Sequence, residues 1–129
     1  EDPGMSAATD YLVEENAARI SWDYPITGVE SVESLPFEPH WLNVKPSRFG
    51  TVESLFETLE YAAENDISLY GGGQFELDVG RDQIQALASL FYADGPNDVA
   101  PGSYNDPEVP ADAPTSPLSP SASADGLGF

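Results

Sequence analysis

The chain has 129 residues, enough for one domain, with 23 Asp plus Glu against 4 Lys plus Arg, a formal net charge of −19. Such a charge repels phosphate backbones and anionic headgroups, which excludes nucleic acid and membrane surfaces as partners. The absence of cysteine removes any disulfide framework and any thiolate metal site.

Glu1-Asp2-Pro3 is acidic and stopped by proline. Ser6 to Ala18 then offers Ala7, Ala8, Tyr11, Leu12 and Glu14 in an amphipathic helix that starts near Ser6 or Thr9. Arg19 to Tyr24 is a short β-rich run with Ile20 and Trp22 alternating, closed by Pro25 and the Thr27-Gly28 turn signal, so that Asp23 stands at a strand end. A weaker helical stretch runs from Gly28 to Pro39 through Val29, Val32 and Leu35.

Trp41 to Val44 reads as a buried strand, because Leu42 and Val44 flank Asn43 and Pro46 cannot donate to a ladder. Its carboxyl end carries Lys45, the only lysine of the chain. From Thr51 the apolar residues change to helical spacing: Val52, Leu55, Phe56, Leu59, Ala62 and Ala63. Ile67 to Tyr70 forms another strand and runs into Gly71-Gly72-Gly73, where glycine permits close backbone approach. Gln74-Phe75-Glu76 follows, and Gly80-Arg81 opens a second strong helix through Ile84, Leu87, Ala88 and Phe91, ended by Asp94-Gly95-Pro96. Asn97 to Pro101 is expected as one more short strand. From residue 103 to 129 the proline, serine, alanine and aspartate content predicts an irregular or disordered tail.

Strand and helix alternate with crossovers of about 12 or more residues, which points to parallel strands joined by right-handed connections. The fold class expected is α/β over residues 1–102: either part of a (β/α)8 TIM-type barrel, four to five of its β/α units and short of the roughly 200–250 residues a closed barrel needs, or a small open sheet of another kind. Ligands of such folds bind at the carboxyl ends of the strands, where Glu1, Asp23 and Lys45 stand.

From the residues alone, Glu1 and Asp23 admit two readings, ligands of a hard divalent cation or solvated charges of an acidic surface. Lys45 is either an ion-pair partner or an acid/base group, and its survival in a chain almost stripped of lysine favours the second. Glu76 either faces the same site or begins a loop. Gly71-Gly72-Gly73 matches neither a dinucleotide fingerprint nor a P-loop, so nucleotide binding is a poor reading. His40, at the entering end of its strand, is expected to be structural, and Trp22 and Trp41 to pack the core.

Taken together, Glu1-Asp2-Pro3, Asp23, Asn43-Val44-Lys45-Pro46-Ser47-Arg48 and the segment from Tyr70 to Gln83 resemble the carboxyl-terminal half of an enolase-superfamily barrel over about Glu1 to Pro101. The muconate cycloisomerase and o-succinylbenzoate synthase group is the most similar. The resemblance implies a Mg²⁺-dependent isomerase or lyase that removes the proton next to the carboxylate of a small substrate, leading to racemisation, elimination or cycloisomerisation. It implies Glu1 and Asp23 as metal ligands, Lys45 as the acid/base group, Glu76 beside the substrate, and Gly72, Gly73 and Arg48 as substrate-binding residues. Asp23 is followed by Tyr24-Pro25 where the group often has an acidic residue, and the tail has no counterpart.

The family's first metal aspartate, its second-strand lysine pair and its capping domain would lie upstream of Glu1. The absence of an initiator methionine supports that expectation, with an upstream half-barrel, in the same or a separate chain, or self-association completing the sheet. The alternative is a non-catalytic acidic α/β binding module or degenerate partial barrel with open sheet edges. No run approaches a membrane span and no signal peptide is visible, so a cytoplasmic setting is expected. It is read as a high-salt one, since about 1 M salt shortens the screening length to roughly 3 Å and relieves the self-repulsion.

Overall fold

A computed structural model describes residues 1–100, 104, 107–108, 110–113 and 115. Chain contacts divide it into two compact units, one from Glu1 to Leu69 and one from Tyr70 onward. Most of the expected 103–129 tail, and the end of the expected Asn97–Pro101 strand, lie outside the described residues. Among the described residues no helix is long and apolar enough to cross a membrane.

In the first unit, α1 (Asp10–Asn16) and a 3-10 turn (Ala17–Arg19) precede β1 (Ser21–Trp22), and α2 (Val29–Glu33) leads to β2 (Trp41–Val44). A second 3-10 turn (Pro46–Arg48) links β2 to α3 (Val52–Glu64), and β3 (Ser68–Gly71) begins where this unit ends. The sheet order is β1-β2-β3, with β1 parallel to β2 in the register Ser21–Trp41 and Trp22–Leu42.

The strand around Lys45 and the two long helices lie where periodicity placed them. Leu42 and Val44 are fully buried, each contributing roughly 1.5–3 kcal/mol of transfer free energy. Thr51 caps α3 by accepting the Ser54 N–H at 3.1 Å, and Asn65 closes it by donating to Tyr61 O at 2.8 Å. The buried stripe of α3 is Leu55, Thr58, Leu59 and Ala62, narrower than expected, since Val52 and Phe56 are largely exposed. Thr58 enters it because its hydroxyl is satisfied within the helix by Ser54 O at 2.8 Å.

Three expected elements are shorter than the sequence suggested. The amino-terminal helix begins at Asp10, not Ser6, because Thr9 closes a separate turn, its hydroxyl on Gly4 O at 2.7 Å and its N–H on Ser6 O at 2.8 Å. The expected Arg19–Tyr24 strand keeps only Ser21 and Trp22: Arg19 belongs to the 3-10 turn, and the amides of Asp23 and Tyr24 bond to a side chain. The expected Gly28–Pro39 helix is limited to Val29–Glu33.

The second unit is built on α4 (Val79–Phe91). Its buried residues are Ile84, Gln85, Ala86 and Ala88, whereas Phe91 is exposed, so the apolar stripe is rotated from the expected one. Gln85 is wholly buried and donates its amide to Val99 O, while Arg81 Nε reaches Ala100 O at 2.9 Å. These side chains, with Asn97 Oδ1 accepting Val99 N–H at 3.2 Å, use the backbone groups that the expected Asn97–Pro101 strand would have paired. Among the described residues, a single parallel bridge from Gly71 to Asn97 forms there.

Candidate functional site at the strand ends

The parallel register continued by one residue sets Asp23 beside Asn43, and the two-residue alternation of a strand puts Lys45 on the same face as Asn43. Trp22, Leu42 and Val44 take the opposite, apolar face. The strand ends therefore gather an acid, an amide and the lysine.

The turn after β2 adds a second cation. Pro46 opens the 3-10 turn, Arg48 N–H returns to Lys45 O at 2.9 Å, and Gly50 leaves it with a φ of 72°, in the left-handed region that glycine adopts freely. With three residues per turn, side chains three apart lie on one side, so Lys45 and Arg48 face the same neighbour. That neighbour is Asp23. Lys45 Nζ contacts Asp23 Oδ2 at 2.7 Å, and Arg48 Nη1 contacts both Asp23 Oδ1 and the Asp23 carbonyl oxygen at 2.6 Å. All three side chains are mostly buried, at 12–17% relative exposure. Arg48 also lies over the Tyr24 ring, 5.7 Å from its centroid, a cation–π contact.

The first residues of the chain close the other side. Asp2 N–H donates to Ser21 O at 3.0 Å, and its carboxylate accepts the N–H of Asp23 at 2.8 Å and of Tyr24 at 2.9 Å. Asn43 Nδ2 donates to Glu1 Oε1 at 3.2 Å. Of the expected site residues, Asp23, Lys45 and Arg48 are thus in direct contact, and Glu1 is held by Asn43 of the same strand as Lys45. Arg48, expected to bind substrate, is engaged with Asp23 and Tyr24 in this structure.

Gly72, Gly73 and Glu76 belong to the second unit. There Glu76 Oε2 accepts the Gln74 N–H at 2.6 Å. A Cβ added to Gly73 would lie 2.5 Å from Val99 Cγ2 and 2.8 Å from Glu76 Oε2, so this glycine is required by its neighbours in the fold. Nearby, burial pushes the Tyr92 phenol well above its ordinary value.

Asp2, Tyr24 and Asn43 were not singled out by sequence reasoning. Asn43 carried a usable signal, a polar residue between two apolar ones in a buried strand. Asp2 carried none beyond its place beside Glu1, because its contacts span 21 and 22 residues.

Magnesium, implied by the superfamily resemblance, can be tested against these donors. Glu1 and Asp23 fit a hard divalent cation in kind, since both offer carboxylate oxygens. In number they supply part of a coordination shell: among the described residues no three His, Cys, Asp or Glu side chains form a metal-holding group. Both Asp23 oxygens are held by cations, so a metal ion would share or displace one of them.

The family described as Domain of unknown function (DUF8230) C-terminal domain matches residues 1–106. No curated protein matches the sequence. Among solved structures, a member of the enolase superfamily from Listeria innocua Clip11262 is similar at 32% identity and a TM-score of 0.57, over 70% of this chain and 25% of that one. The chain spans about a quarter of that protein's length. The chain thus belongs to the family described as Domain of unknown function (DUF8230) C-terminal domain, and its α/β fold is that of a partial barrel of the enolase superfamily.

Proposed function

We propose that this chain forms part of an enolase-superfamily enzyme that removes the proton next to a substrate carboxylate, with Lys45 as the proton carrier. The observation that supports it is the placement of Lys45 at the end of β2, fixed by Asp23 and flanked by Arg48. A carbon acid of this kind yields its proton only if the resulting charge is neutralised as it forms. Glu1 and Asp23, together with ligands from outside the chain, would hold a Mg²⁺ ion that would supply that neutralisation. Lys45 gives and takes the proton at Nζ, and the Asp23 carboxylate fixes its direction. Arg48 holds Asp23 through its side chain and carbonyl, which keeps the acid aligned with the lysine. Glu76, Gly72 and Gly73 are assigned to the substrate on the family resemblance.

The finer assignment is to the muconate cycloisomerase and o-succinylbenzoate synthase group, supported by Glu1, Asp23 and Lys45 following one another with the spacing of that group's strand ends. Racemisation, elimination and cycloisomerisation all begin with the same proton removal. An upstream half-barrel, in the same or a separate chain, would complete the sheet and supply the remaining ligands. We place the protein in a high-salt cytoplasm on its charge of −19.

A non-catalytic acidic binding module is the competing reading, favoured by the engagement of both Asp23 oxygens. Deuterium uptake at the α-carbon of a panel of small carboxylates in D₂O, measured on the completed barrel with and without Mg²⁺, separates the two. Mg²⁺-dependent uptake at that carbon is the expected result. No uptake by a folded, completed barrel across the panel favours the binding module.

A further inference from the structure

We infer that Asp2 is a positioning residue whose carboxylate holds the backbone that presents Asp23 to Lys45 and Arg48. This deepens the proposed function, since it matters to chemistry only if Asp23 and Lys45 work together.

Asp2 contacts the end of β1 with both its backbone and its side chain. Its N–H donates to Ser21 O at 3.0 Å, then Oδ1 accepts from Asp23 and Oδ2 from Tyr24, at 2.8 and 2.9 Å. Two oxygens of one carboxylate on two successive amides make a bidentate, charge-assisted clamp, among the stronger hydrogen bonds a protein forms. These are the two amides that sequence periodicity assigned to a strand ladder, and the Asp2 side chain accepts both of them.

Among the described residues, the partners of Asp23 are then as follows. Its N–H is on Asp2, its carbonyl accepts from Arg48 and from Ile26 N–H at 3.1 Å, and its carboxylate oxygens are on Arg48 and Lys45. Arg48 and Lys45 pull on the carboxylate from the β2 side. Asp2 anchors the same residue through its backbone N–H.

Asp2 also has a φ of 47°, a left-handed conformation unfavourable for most residues and tolerated by Asp. A role limited to shaping this turn makes glycine the better residue, whereas a clamp makes glycine worse. Asn retains tolerance of the conformation and one carbonyl acceptor but loses the second acceptor.

Amide hydrogen exchange and the Asp23 side-chain carboxyl ¹³C resonance, read by NMR on the whole chain without metal or substrate, test the inference. In Asp2→Gly, protection at Asp23 and Tyr24 is expected to fall about tenfold to a hundredfold relative to Leu42 and Val44, the loss that follows from unmaking such bonds. The Asp23 carboxyl resonance should move as its contacts with Lys45 and Arg48 loosen. Asp2→Asn should keep protection at one of the two amides. Unchanged protection and an unchanged Asp23 resonance in Asp2→Gly would overturn the inference and leave Asp2 a turn residue. If Asp2→Gly loses protection at Leu42 and Val44 as well, Asp2→Asn decides: selective loss at one amide supports the clamp, and no loss refutes it. Because neither substrate nor metal enters the measurement, an inactive Lys45 would leave this result unaffected.

Discussion

Asp23→Asn removes the one negative charge that serves both Lys45 and Arg48 while keeping the side chain's shape. Both cations lie within 2.7 Å of a carboxylate oxygen, and their side chains are only 13% and 17% exposed. Two unit charges on opposite oxygens of one carboxylate stand about 7 Å apart, and at an effective dielectric of about 20 they repel by roughly 2 kcal/mol once the acid is neutral. Losing the charge assistance of the Lys45 and Arg48 contacts adds to this, and breaking a buried ion pair from one side costs about 3–5 kcal/mol in total. Native domains have only about 5–15 kcal/mol of stability, so the substitution should remove a large fraction of it. Urea unfolding followed by circular dichroism would read the loss as a lower midpoint at an unchanged slope. The double variant Asp23→Asn/Lys45→Met should recover part of the loss, since it takes away the repulsion. An Asp23→Asn protein within about 0.5 kcal/mol of wild type, the range of ordinary surface substitutions, would refute the view that Asp23 is the anchor of the cluster.

Three further outcomes are expected. Tyr92 is buried and its hydroxyl has no hydrogen-bond partner among the described residues, so Tyr92→Phe should be neutral or stabilising by about 1–3 kcal/mol at pH 7. Its folded-state pKa is raised, so its contribution is fully present below about pH 10 and declines as the unfolded chain ionises above that value; pH-dependent melting should show a shallower alkaline loss in the variant. Gly71→Ala would bring a Cβ to 2.8 Å from Asn97 Oδ1 and 3.1 Å from Tyr92 Cε2, and thermal melting should register about 1–3 kcal/mol of destabilisation. With a charge of −19, folding should strengthen with screening; equal helicity and melting temperature across about 0.1–3 M KCl would refute the high-salt reading.

The strand and helices that carry Lys45 were legible because their signals are local. An apolar-Asn-apolar run stopped by Pro46 leaves little choice but β2, and the spacing of Leu55, Leu59 and Ala62 or of Ile84 and Ala88 needs only the helical period. Two of the features that periodicity missed involve contacts distant in sequence. The Arg19–Tyr24 run looked like a longer strand until the Asp2 carboxylate took its last two amides. Gln85 is not among the apolar positions that helical spacing picks out in α4, and its burial is accompanied by a bond to Val99 O, 14 residues away. Arg48 was recognised as a site residue, yet its orientation follows from the short turn of Pro46–Arg48, which periodicity does not reveal.

The most direct test is the rate of α-hydrogen exchange by Lys45→Ala in the completed barrel with Mg²⁺ and its native substrate. General acid/base groups contribute about 10² to 10⁴ in rate, so exchange at saturating Mg²⁺ should fall by at least that lower factor while circular dichroism shows the variant still folded. Near-normal exchange in that variant would contradict the assignment and leave Lys45 as the structural partner of Asp23.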